Sequence, residues 1–332
     1  MIIEILGINV KLESDNAKFL DFVKSSSNNS TKSKNYDVLL DIKFNSSLFK
    51  KNKNLTQNQL ITEYFGSELY INDDAILWES KKLKVFIKKN SSKFDISAIA
   101  NYRLDQKIRA LFTTNPEFEN NLFLYVHRFV VLYPVISFLS NKKKYSLVHA
   151  SAVFDTKINK ALLFIGLNGV GKSSLAFGLS NTNRFKLLSD NFILISKDKM
   201  LIVPELIRLP KNFIVGDLNI VGKANNKILI KNNNCSSQEY QVGKVVFVSR
   251  DKDHNPSTLK SLSIEKAFNI ICNIGSYLKE YENFHYTAFF QKNKAQIDIE
   301  NYKGLTEESQ NYLYKIGNEK NNEAKFLQLL EG

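Results

Sequence analysis

Hydrophobic and polar positions alternate in short runs over the first hundred residues of the chain. The runs lie at residues 2–12, 36–44, 68–71, 75–78 and 83–87. A repeat of two residues is typical of strands that bury one face, and clusters of Asn, Ser, Asp and Lys between the runs favour turns. The pattern predicts a β-rich N-terminal domain over residues 1–97, and its role is not indicated by any catalytic pattern.

Longer apolar stretches follow, and they predict helices over residues 98–112 and 118–139 that form a helical connection over 98–140. Residues 122–139 are almost long enough for a membrane span. Arg128 interrupts the stretch, however, and a charged side chain costs about 2.5 to 3.5 kcal/mol at the centre of a bilayer. Pro134 would also kink a continuous helix. We therefore expect a buried helix and no membrane span.

From residue 141 onwards, short apolar strands alternate with helical patterns, which predicts an α/β domain over 141–332. Strands are expected at residues 147–154, 161–165, 185–189, 192–195, 200–203 and 244–249. The first two are joined by so few residues that they must pair antiparallel, because a parallel crossover needs a dozen residues or more. Ser263 can cap a helix that runs to Glu280, with Ile264, Ala267, Ile271 and Cys272 on its core face. The expected architecture is a mixed sheet with an antiparallel hairpin.

A glycine-rich loop follows the strand at 161–165 and opens into a helix. Its sequence, Gly-Leu-Asn-Gly-Val-Gly-Lys-Ser over residues 166–173, is a complete Walker A pattern. Such a loop directs backbone N–H groups at nucleotide phosphates, its lysine reaches the outer phosphates, and its serine binds Mg²⁺. The pattern predicts a nucleotide site made by Gly166, Asn168, Gly169, Val170, Gly171, Lys172, Ser173 and Ser174.

Five further side chains are candidates for the chemistry of this site. Asp190 follows a strand end and is a candidate metal ligand or general base, the alternative being a turn residue. Asn191 and Glu205 are candidate metal ligands, and Arg208 is a candidate cation for a phosphoryl group in transfer. Glu205 and Arg208 could equally form a surface ion pair. His149, on the strand beside the loop strand, is either catalytic or a core histidine.

Composition limits the partners and the compartment. The chain has 332 residues and a net charge of +13, but its lysines are spread along an Asn/Lys/Ile-rich sequence. No basic and aromatic residues are interleaved as in proteins that stack on bases, so nucleic acid is a disfavoured partner. Two cysteines without CxxC spacing indicate a reducing compartment. With no basic leader at the start, we expect a cytoplasmic protein.

Three segments together resemble a known family. Residues 148–153 (Val-His-Ala-Ser-Ala-Val), the glycine-rich loop and residues 187–191 (Leu-Leu-Ser-Asp-Asn) are similar to the catalytic core of HPr kinase/phosphorylase-related proteins, which are structurally related to phosphoenolpyruvate carboxykinases. The likeness covers residues 147–281 and implies that ATP binds with Mg²⁺, that His149 lies beside the phosphates, and that Asp190 is the base. Asn191 departs from the family, which usually has a second aspartate there.

These observations favour an ATP-dependent kinase that transfers the γ-phosphoryl group to a hydroxyl of a protein or peptide serine, or of a small molecule. The alternatives are a nucleotide-binding regulatory module without catalysis and an ATPase or kinase that acts on RNA. No LSGGQ-like signature of transporter-type ATPases and no NKxD motif of GTPases occurs in the sequence. The resemblance is compatible with a homo-oligomer, and HPr itself is not a secure acceptor because the N-terminal region differs from that of true HPr kinases.

Overall fold

The protein is a mixed α/β structure, and its described residues form three sheets. The computed structural model describes residues 1–26, 35–44, 60–64, 67–71, 75–79, 83–90, 93–100, 116–210, 219–224, 227–232, 238–250, 255–278, 294–318 and 321–331. The α/β class predicted from the sequence is confirmed at this level.

The N-terminal sheet has eight strands in the order β1-β2-β3-β8-β7-β6-β5-β4. Strand β3 pairs parallel with both β2 and β8, and the other neighbours are antiparallel. The predicted runs correspond to β1 (Ile2–Ile5), β2 (Ile8–Ser14), β3 (Val38–Lys43), β5 (Ser67–Ile71), β6 (Ala75–Glu79) and β7 (Leu83–Asn90), to which the structure adds β4 (Leu60–Tyr64) and β8 (Lys93–Ala100).

The sequence interpretation missed three helices of the described residues, at 17–26, 294–308 and 322–331, and it misplaced the start of another. Helix α1 (Ala17–Ser26) buries Phe19, Phe22, Val23 and Ser26 on one face. The helix predicted from residue 98 is wrong at its start, because Ala98, Ile99 and Ala100 are buried and pair with β7 as the last residues of strand β8. The remainder of that prediction, residues 101–112, lies outside the described residues.

The second predicted helix is present as a composite element: α2 (Pro116–Val126), a π-helical segment (His127–Leu132) and α3 (Tyr133–Lys143). Pro134 lies in the first turn of α3, where its missing N–H is tolerated. Residues 119–139 are long enough and apolar enough to cross a membrane, with a mean hydropathy of 1.8, and 72% of that stretch is buried inside the protein. It packs in one hydrophobic core with the N-terminal sheet and with Phe192 and Leu194.

The central sheet has the order β10-β9-β12-β13-β17-β19-β18, and β10 also pairs with β17. Its strands are β9 (Ser146–Asp155), β10 (Lys160–Ile165), β11 (Phe185–Ser189), β12 (Phe192–Ser196), β13 (Lys199–Ile202), β17 (Tyr240–Arg250), β18 (Thr258–Ser261) and β19 (Gln310–Ile316). Strands β9 and β10 form the predicted antiparallel hairpin, and β17 lies parallel to β10 on its other edge. On its edge away from β10, β9 pairs first with β12 and then with β11.

Helices cover both faces of this sheet. Helices α4 (Lys172–Ser180) and α7 (Asn322–Glu331) share one core with β10, and α5 (Ile264–Leu278) and α6 (Lys294–Glu308) share another. The hydroxyl of Ser263 accepts a 3.4 Å hydrogen bond from the Lys266 N–H, as expected for a cap. Ala267 and Ile271 are buried as predicted, whereas Ile264 is 50% exposed because it begins the helix, and Cys272 is only partly buried.

A small third sheet has the antiparallel order β14-β16-β15, formed by β14 (Ile207–Pro210), β15 (Ile220–Ala224) and β16 (Lys227–Ile230). Pro210 pairs with Lys227. This sheet packs its Ile207, Leu209, Ile228 and Ile230 against Phe177 of α4. It therefore lies next to the glycine-rich loop and brings two basic side chains, Arg208 and Lys227, to that loop.

Candidate functional site

The glycine-rich loop connects β10 to α4 and is closely packed against β17. A Cβ on Gly166 would lie 2.4 Å from the carbonyl oxygen of Val248, so no larger residue fits there. Gly171 has φ of +105° and is the N-cap of α4, a conformation that disfavours side chains. The loop therefore brings its backbone to the start of a helix, where unpaired N–H groups favour an anion.

Lys172 and Ser173 are held close to this loop. The buried Nζ of Lys172 donates to the carbonyl oxygens of Gly166 at 2.8 Å and Leu167 at 2.9 Å. Burial lowers the pKa of Lys172 to about 8, so the ammonium form predominates at neutral pH. The Ser173 hydroxyl donates to the carbonyl oxygen of Asp190 at 3.1 Å. Its oxygen also lies 3.3 Å from the Ser151 hydroxyl, and one of its two lone pairs is enough to bind a metal ion.

Asp190 and Asn191 join β11 to β12 beside β9. The backbone of β9 holds this connection, because the Ala150 N–H donates to the Asn191 carbonyl at 3.0 Å and Phe192 pairs with His149. The two strands pair with successive parts of β9, and a register irregularity precedes Ser189. The break between β11 and β12 thus places two polar side chains next to the loop.

The Asp190 carboxylate is buried and has little electrostatic compensation. Its Oδ2 accepts a 3.1 Å hydrogen bond from the backbone N–H of Arg208. Burial raises the pKa of Asp190 to about 6, although the cations of Arg208 and Lys227 oppose the shift. A carboxylate with this pKa is ionised at neutral pH and can still accept a proton, which is the property required of a general base.

His149 lies on β9, facing the same cavity. Its ring centroid is 5.5 Å from that of Phe192. Burial, followed by the charges of Lys172 and Arg128, lowers the pKa of His149 to about 3. The imidazole is therefore neutral at pH 7 and is able to share a hydrogen bond with a phosphate without carrying a charge.

A hydrogen-bonded network lies behind Asp190. Glu205 accepts from Asn191 Nδ2 at 2.6 Å and from Arg128 Nε at 2.8 Å, and Arg128 Nη2 also donates to it. Arg208 Nη2 donates to the Asn191 side-chain oxygen at 3.0 Å. Although burial favours the protonated acid, Arg128 and Arg208 outweigh it and lower the pKa of Glu205. Both ends of the Asn191 amide are therefore occupied by protein groups.

A cavity of about 240 Å³ unites most of the predicted site residues. It is lined by His149, Asn168, Gly169, Gly171, Lys172, Ser173, Ser174, Asp190, Asn191, Arg208, Pro210 and Lys227. Of the residues predicted from the sequence, Gly166, Val170 and Glu205 do not line it. Gly166 lies against the Val248 carbonyl of β17, and Val170 packs against the core beside α4. Glu205 contacts the site through its hydrogen bond with Asn191.

The oxygen donors of the cavity fit a magnesium–nucleotide complex better than a metal bound by protein groups alone. Among the described residues, no group of three or more His, Cys, Asp or Glu side chains is placed to hold a metal ion. Mg²⁺ usually takes one or two carboxylates together with substrate phosphates and water. Ser173 and Asp190 are the protein groups that match this pattern.

Sequence reasoning missed two basic residues. Lys227 lines the cavity from β16, and its neighbourhood of scattered lysines gave no indication of this. Arg128 is bound to Glu205, and the sequence did contain a clue, because an arginine within an apolar helix requires a buried acceptor. The partner could not be identified from sequence, since Glu205 is far away in the chain.

Comparisons with known proteins give little further information. No family model matches the chain, and no curated protein matches it. Among solved structures, the HPr(Ser) kinase/phosphatase from Coxiella burnetii aligns with 12% sequence identity over 56% of this chain and 94% of its own, with a TM-score of 0.27. At this score and identity, the likeness carries no inference about activity.

Proposed function

We propose that this protein is a kinase that uses ATP and Mg²⁺ to phosphorylate a hydroxyl group. One observation carries the proposal: a Walker A loop and an aspartate with a pKa of about 6 line the same cavity, together with a neutral histidine and two further cations. A nucleotide-binding loop alone would fit many proteins. A buried carboxylate beside it, poised to accept a proton, is the additional element that phosphoryl transfer to an alcohol requires.

Each residue has a distinct part in this proposal. The loop N–H groups and Lys172 bind the phosphates, and Ser173 and Asp190 would hold Mg²⁺, which spreads the charge of the phosphate oxygens when it is bound. The oxygen of the acceptor hydroxyl forms a bond to the γ-phosphorus while the bond between that phosphorus and the ADP oxygen breaks. Asp190 accepts the proton that the hydroxyl loses, and ADP leaves. Arg208 and Lys227 face the charge of the group in transfer. Glu205 binds Asn191 and Arg128, and we propose this supporting position in place of the metal-ligand role expected from the sequence.

The remaining parts of the proposal concern the acceptor, the domains and the compartment. We infer an acceptor hydroxyl on a protein or peptide serine, or on a small molecule, and a cytoplasmic location consistent with the cysteine content. We propose residues 1–97, extended to Ala100 by strand β8, as the N-terminal domain and the following residues up to 140 as the helical connection. Residues 141–332 are proposed as the catalytic domain, with a fold like that of HPr kinases and phosphoenolpyruvate carboxykinases. A homo-oligomer is part of the same proposal.

A second function, a nucleotide-binding regulator without catalysis, is favoured by one observation. The side-chain oxygen of Asn191 accepts from Arg208 and its nitrogen donates to Glu205, so the position offers no carboxylate to a metal. A site with one fewer acidic ligand binds the metal less tightly. Under this alternative, ATP binds but its γ-phosphate is not transferred.

The experiment is a thermal unfolding measurement with ATP and Mg²⁺, followed by transfer of a labelled γ-phosphate to proteins, peptides and metabolites of the host lysate. We expect stabilisation by ligand binding and a labelled product. Lys172→Ala should abolish the stabilisation, whereas Lys186→Ala, which changes an exposed lysine of β11, should retain it. Stabilisation without a labelled product would favour the regulator, and no stabilisation of the wild type would contradict nucleotide binding altogether.

A further inference from the structure

The ion pair between Arg128 and Glu205 lies outside the cavity lining, so neither residue of the pair is placed to contact a ligand directly. Arg128 belongs to the π-helical segment, and its side chain is 18% exposed while that of Glu205 is 5% exposed. Nε and Nη2 of Arg128 both donate to Oε1 of Glu205. Two charges are costly to bury unless their geometry is good, so this pair fixes the position of Glu205 closely.

From Glu205, a series of hydrogen bonds leads to the proposed base. The other oxygen of Glu205 accepts from Asn191, whose own oxygen accepts from the Arg208 guanidinium. The Arg208 backbone N–H then donates to Asp190. Because Glu205 is a carboxylate, it accepts only, and this sets which end of the Asn191 amide faces it. The remaining end, an oxygen, is then directed to Arg208.

On the other side, the same helical segment contacts the N-terminal sheet region. His127, which precedes Arg128, is buried and lies 3.1 Å from the Ser26 hydroxyl at the end of α1, measured from Nε2. Its ring packs edge-on against Phe22 of α1 at 6.1 Å. π-Helical turns are rare and recur at functional sites. Here two consecutive residues of one such turn connect α1 to the wall of the candidate site.

We propose that Arg128 is a positioning residue for phosphoryl transfer, acting through Glu205 and Asn191 on Arg208. The inference rests on the kinase function proposed above. Without Arg128, the Glu205 carboxylate loses the hydrogen bonds that hold its Oε1, and its charge draws it from its present place towards water or towards Arg208. Once Glu205 moves, Asn191 loses its acceptor and its amide is no longer held in one orientation, so Arg208 loses the fixed oxygen to which it donates. Nucleotide binding by the loop is left intact, because Arg128 does not line the cavity.

Kinetic measurements on Arg128→Met test this. We expect kcat to fall on the order of 10- to 100-fold through misplacement of reacting groups, with a KM for ATP close to that of the wild type. The double variant Arg128→Met/Glu205→Gln removes both charges, so no unpaired charge draws the side chain at position 205 away, and its amide oxygen can still accept from Asn191; we expect part of kcat to be recovered. It also protects against a single variant that does not fold.

Arg184→Met is the matched control. Arg184 forms a comparable pair with Asp155, with side chains 22% and 0% exposed, and it does not line the cavity. We expect it to lower stability and to leave kcat unchanged. If Arg128→Met reduced kcat no more than Arg184→Met, or if the double variant recovered nothing, a positioning role for Arg128 would be ruled out.

A second measurement needs no catalytic activity and separates this inference from the proposed function. Urea unfolding of the wild type, Arg128→Met, Asn191→Ala and the variant that carries both of these changes forms a double-mutant cycle. Both residues contact Glu205. We expect non-additive changes in the unfolding midpoint, and additive changes for the pair Arg184→Met and Asn191→Ala. Additivity in the first cycle overturns the inference. If the changes of the first cycle are non-additive but the protein has no kinase activity, the hydrogen-bonded network is supported and the proposed function is refuted.

Discussion

Two buried aspartates lie near opposite ends of strands β10 and β11, and they differ in their hydrogen-bond partners and in their pKa values. Asp190 follows the end of β11 at the candidate site, and Asp155 lies across from Lys160 and Phe185, the first residues of the two strands. The carboxylate of Asp155 accepts from Arg184 Nε at 2.9 Å, Arg184 Nη2 at 2.7 Å and the Lys157 N–H at 2.9 Å. Asp190 has one backbone donor at 3.1 Å.

The pKa values of the two groups move in opposite directions as a result. Burial alone would raise the pKa of Asp155, but Arg184 and the Lys157 N–H outweigh it and lower the pKa. For Asp190, burial prevails and raises the pKa to about 6. The comparison shows that burial does not make an aspartate functional. What distinguishes the candidate site is a buried acid without a hydrogen-bonded cation of its own, beside a loop with the Walker A pattern.

The largest effect is expected from Asp190→Asn. General acid–base groups contribute about 10²- to 10⁴-fold to rate, so γ-phosphoryl transfer should fall by that amount while ATP still stabilises the protein. Single-turnover transfer of labelled phosphate measures the first and thermal unfolding the second. Full transfer by the Asn variant would exclude Asp190 as the base.

The pH dependence of stability should differ in sign between the two aspartates. The pKa of Asp190 rises from about 3.9 in an unfolded chain to about 6 in the folded protein, so its ionisation destabilises the fold as pH rises from 4 to 6. The free energy of unfolding of Asp190→Asn should therefore exceed that of the wild type by up to about 3 kcal/mol at pH 7, and by little at pH 4. Urea unfolding at several pH values gives both numbers. An equal difference at both pH values contradicts the raised pKa.

Asp155→Asn should have the opposite consequence, a loss of stability with little change in transfer rate. Removing one member of a buried pair costs about 3 to 5 kcal/mol, but Arg184 is partly exposed and also contacts Glu331, so we expect about 2 kcal/mol. The pKa of Asp155 is lowered, so this contribution is present above pH 4 and is lost as pH falls through the folded pKa. Urea unfolding at pH 7 and pH 3 tests this, and a constant difference would count against the pair.

A smaller effect is expected from Asn191→Asp, which adds an acid at the site and sharpens the contrast with Asp155. The new carboxylate would face Glu205, whose oxygen lies 2.6 Å from the present amide nitrogen, so we expect a loss of about 1 kcal/mol from like-charge contact. Glu205→Gln in the same chain should reverse it. Urea unfolding of the single and double variants provides the test, and a single variant as stable as the wild type would show that the contact is not maintained.

The smallest effect is expected from Lys227→Met. Lys227 lowers the pKa of Asp190 from an exposed position, where salt screens its charge, so its removal should raise that pKa only slightly. The acidic limb of the pH profile of kcat/KM should therefore move slightly towards higher pH. Lys223→Met on β15, outside the cavity lining, should leave it in place. A shift in both variants would indicate a general charge effect.

The sequence predicted the hairpin and the loop because both depend on neighbouring residues. A strand, a glycine pattern and a helix start within residues 161–173 are local features, as are the short strands at 185–189 and 192–195. Helix α1 was accessible to the same reasoning, since its buried positions Phe19, Phe22, Val23 and Ser26 follow helical spacing. It was missed because the surrounding strands dominated the interpretation.

The contacts that differentiate the two aspartates could not be predicted in the same way. Arg184 and Arg128 are both arginines near apolar segments, and only the fold shows that one pairs with Asp155 and the other with Glu205. The third sheet, which carries Arg208 and Lys227 to the loop, packs on Phe177 through side chains distant in sequence. Specific partners of charged groups are decided by tertiary packing, which short-range patterns do not contain.

The two neighbours of strand β10 have a consequence for the order of folding. Its hairpin with β9 joins residues close in the chain, so it closes at small entropic cost, whereas Ala161 meets Val242 of β17 only after a long loop has closed. Gly166 rests on the carbonyl of Val248 in that late-arriving strand. The glycine-rich loop can therefore reach its final shape only after β17 has paired with β10, and any phosphate ligand that needs this shape would bind only molecules in which that pairing is complete.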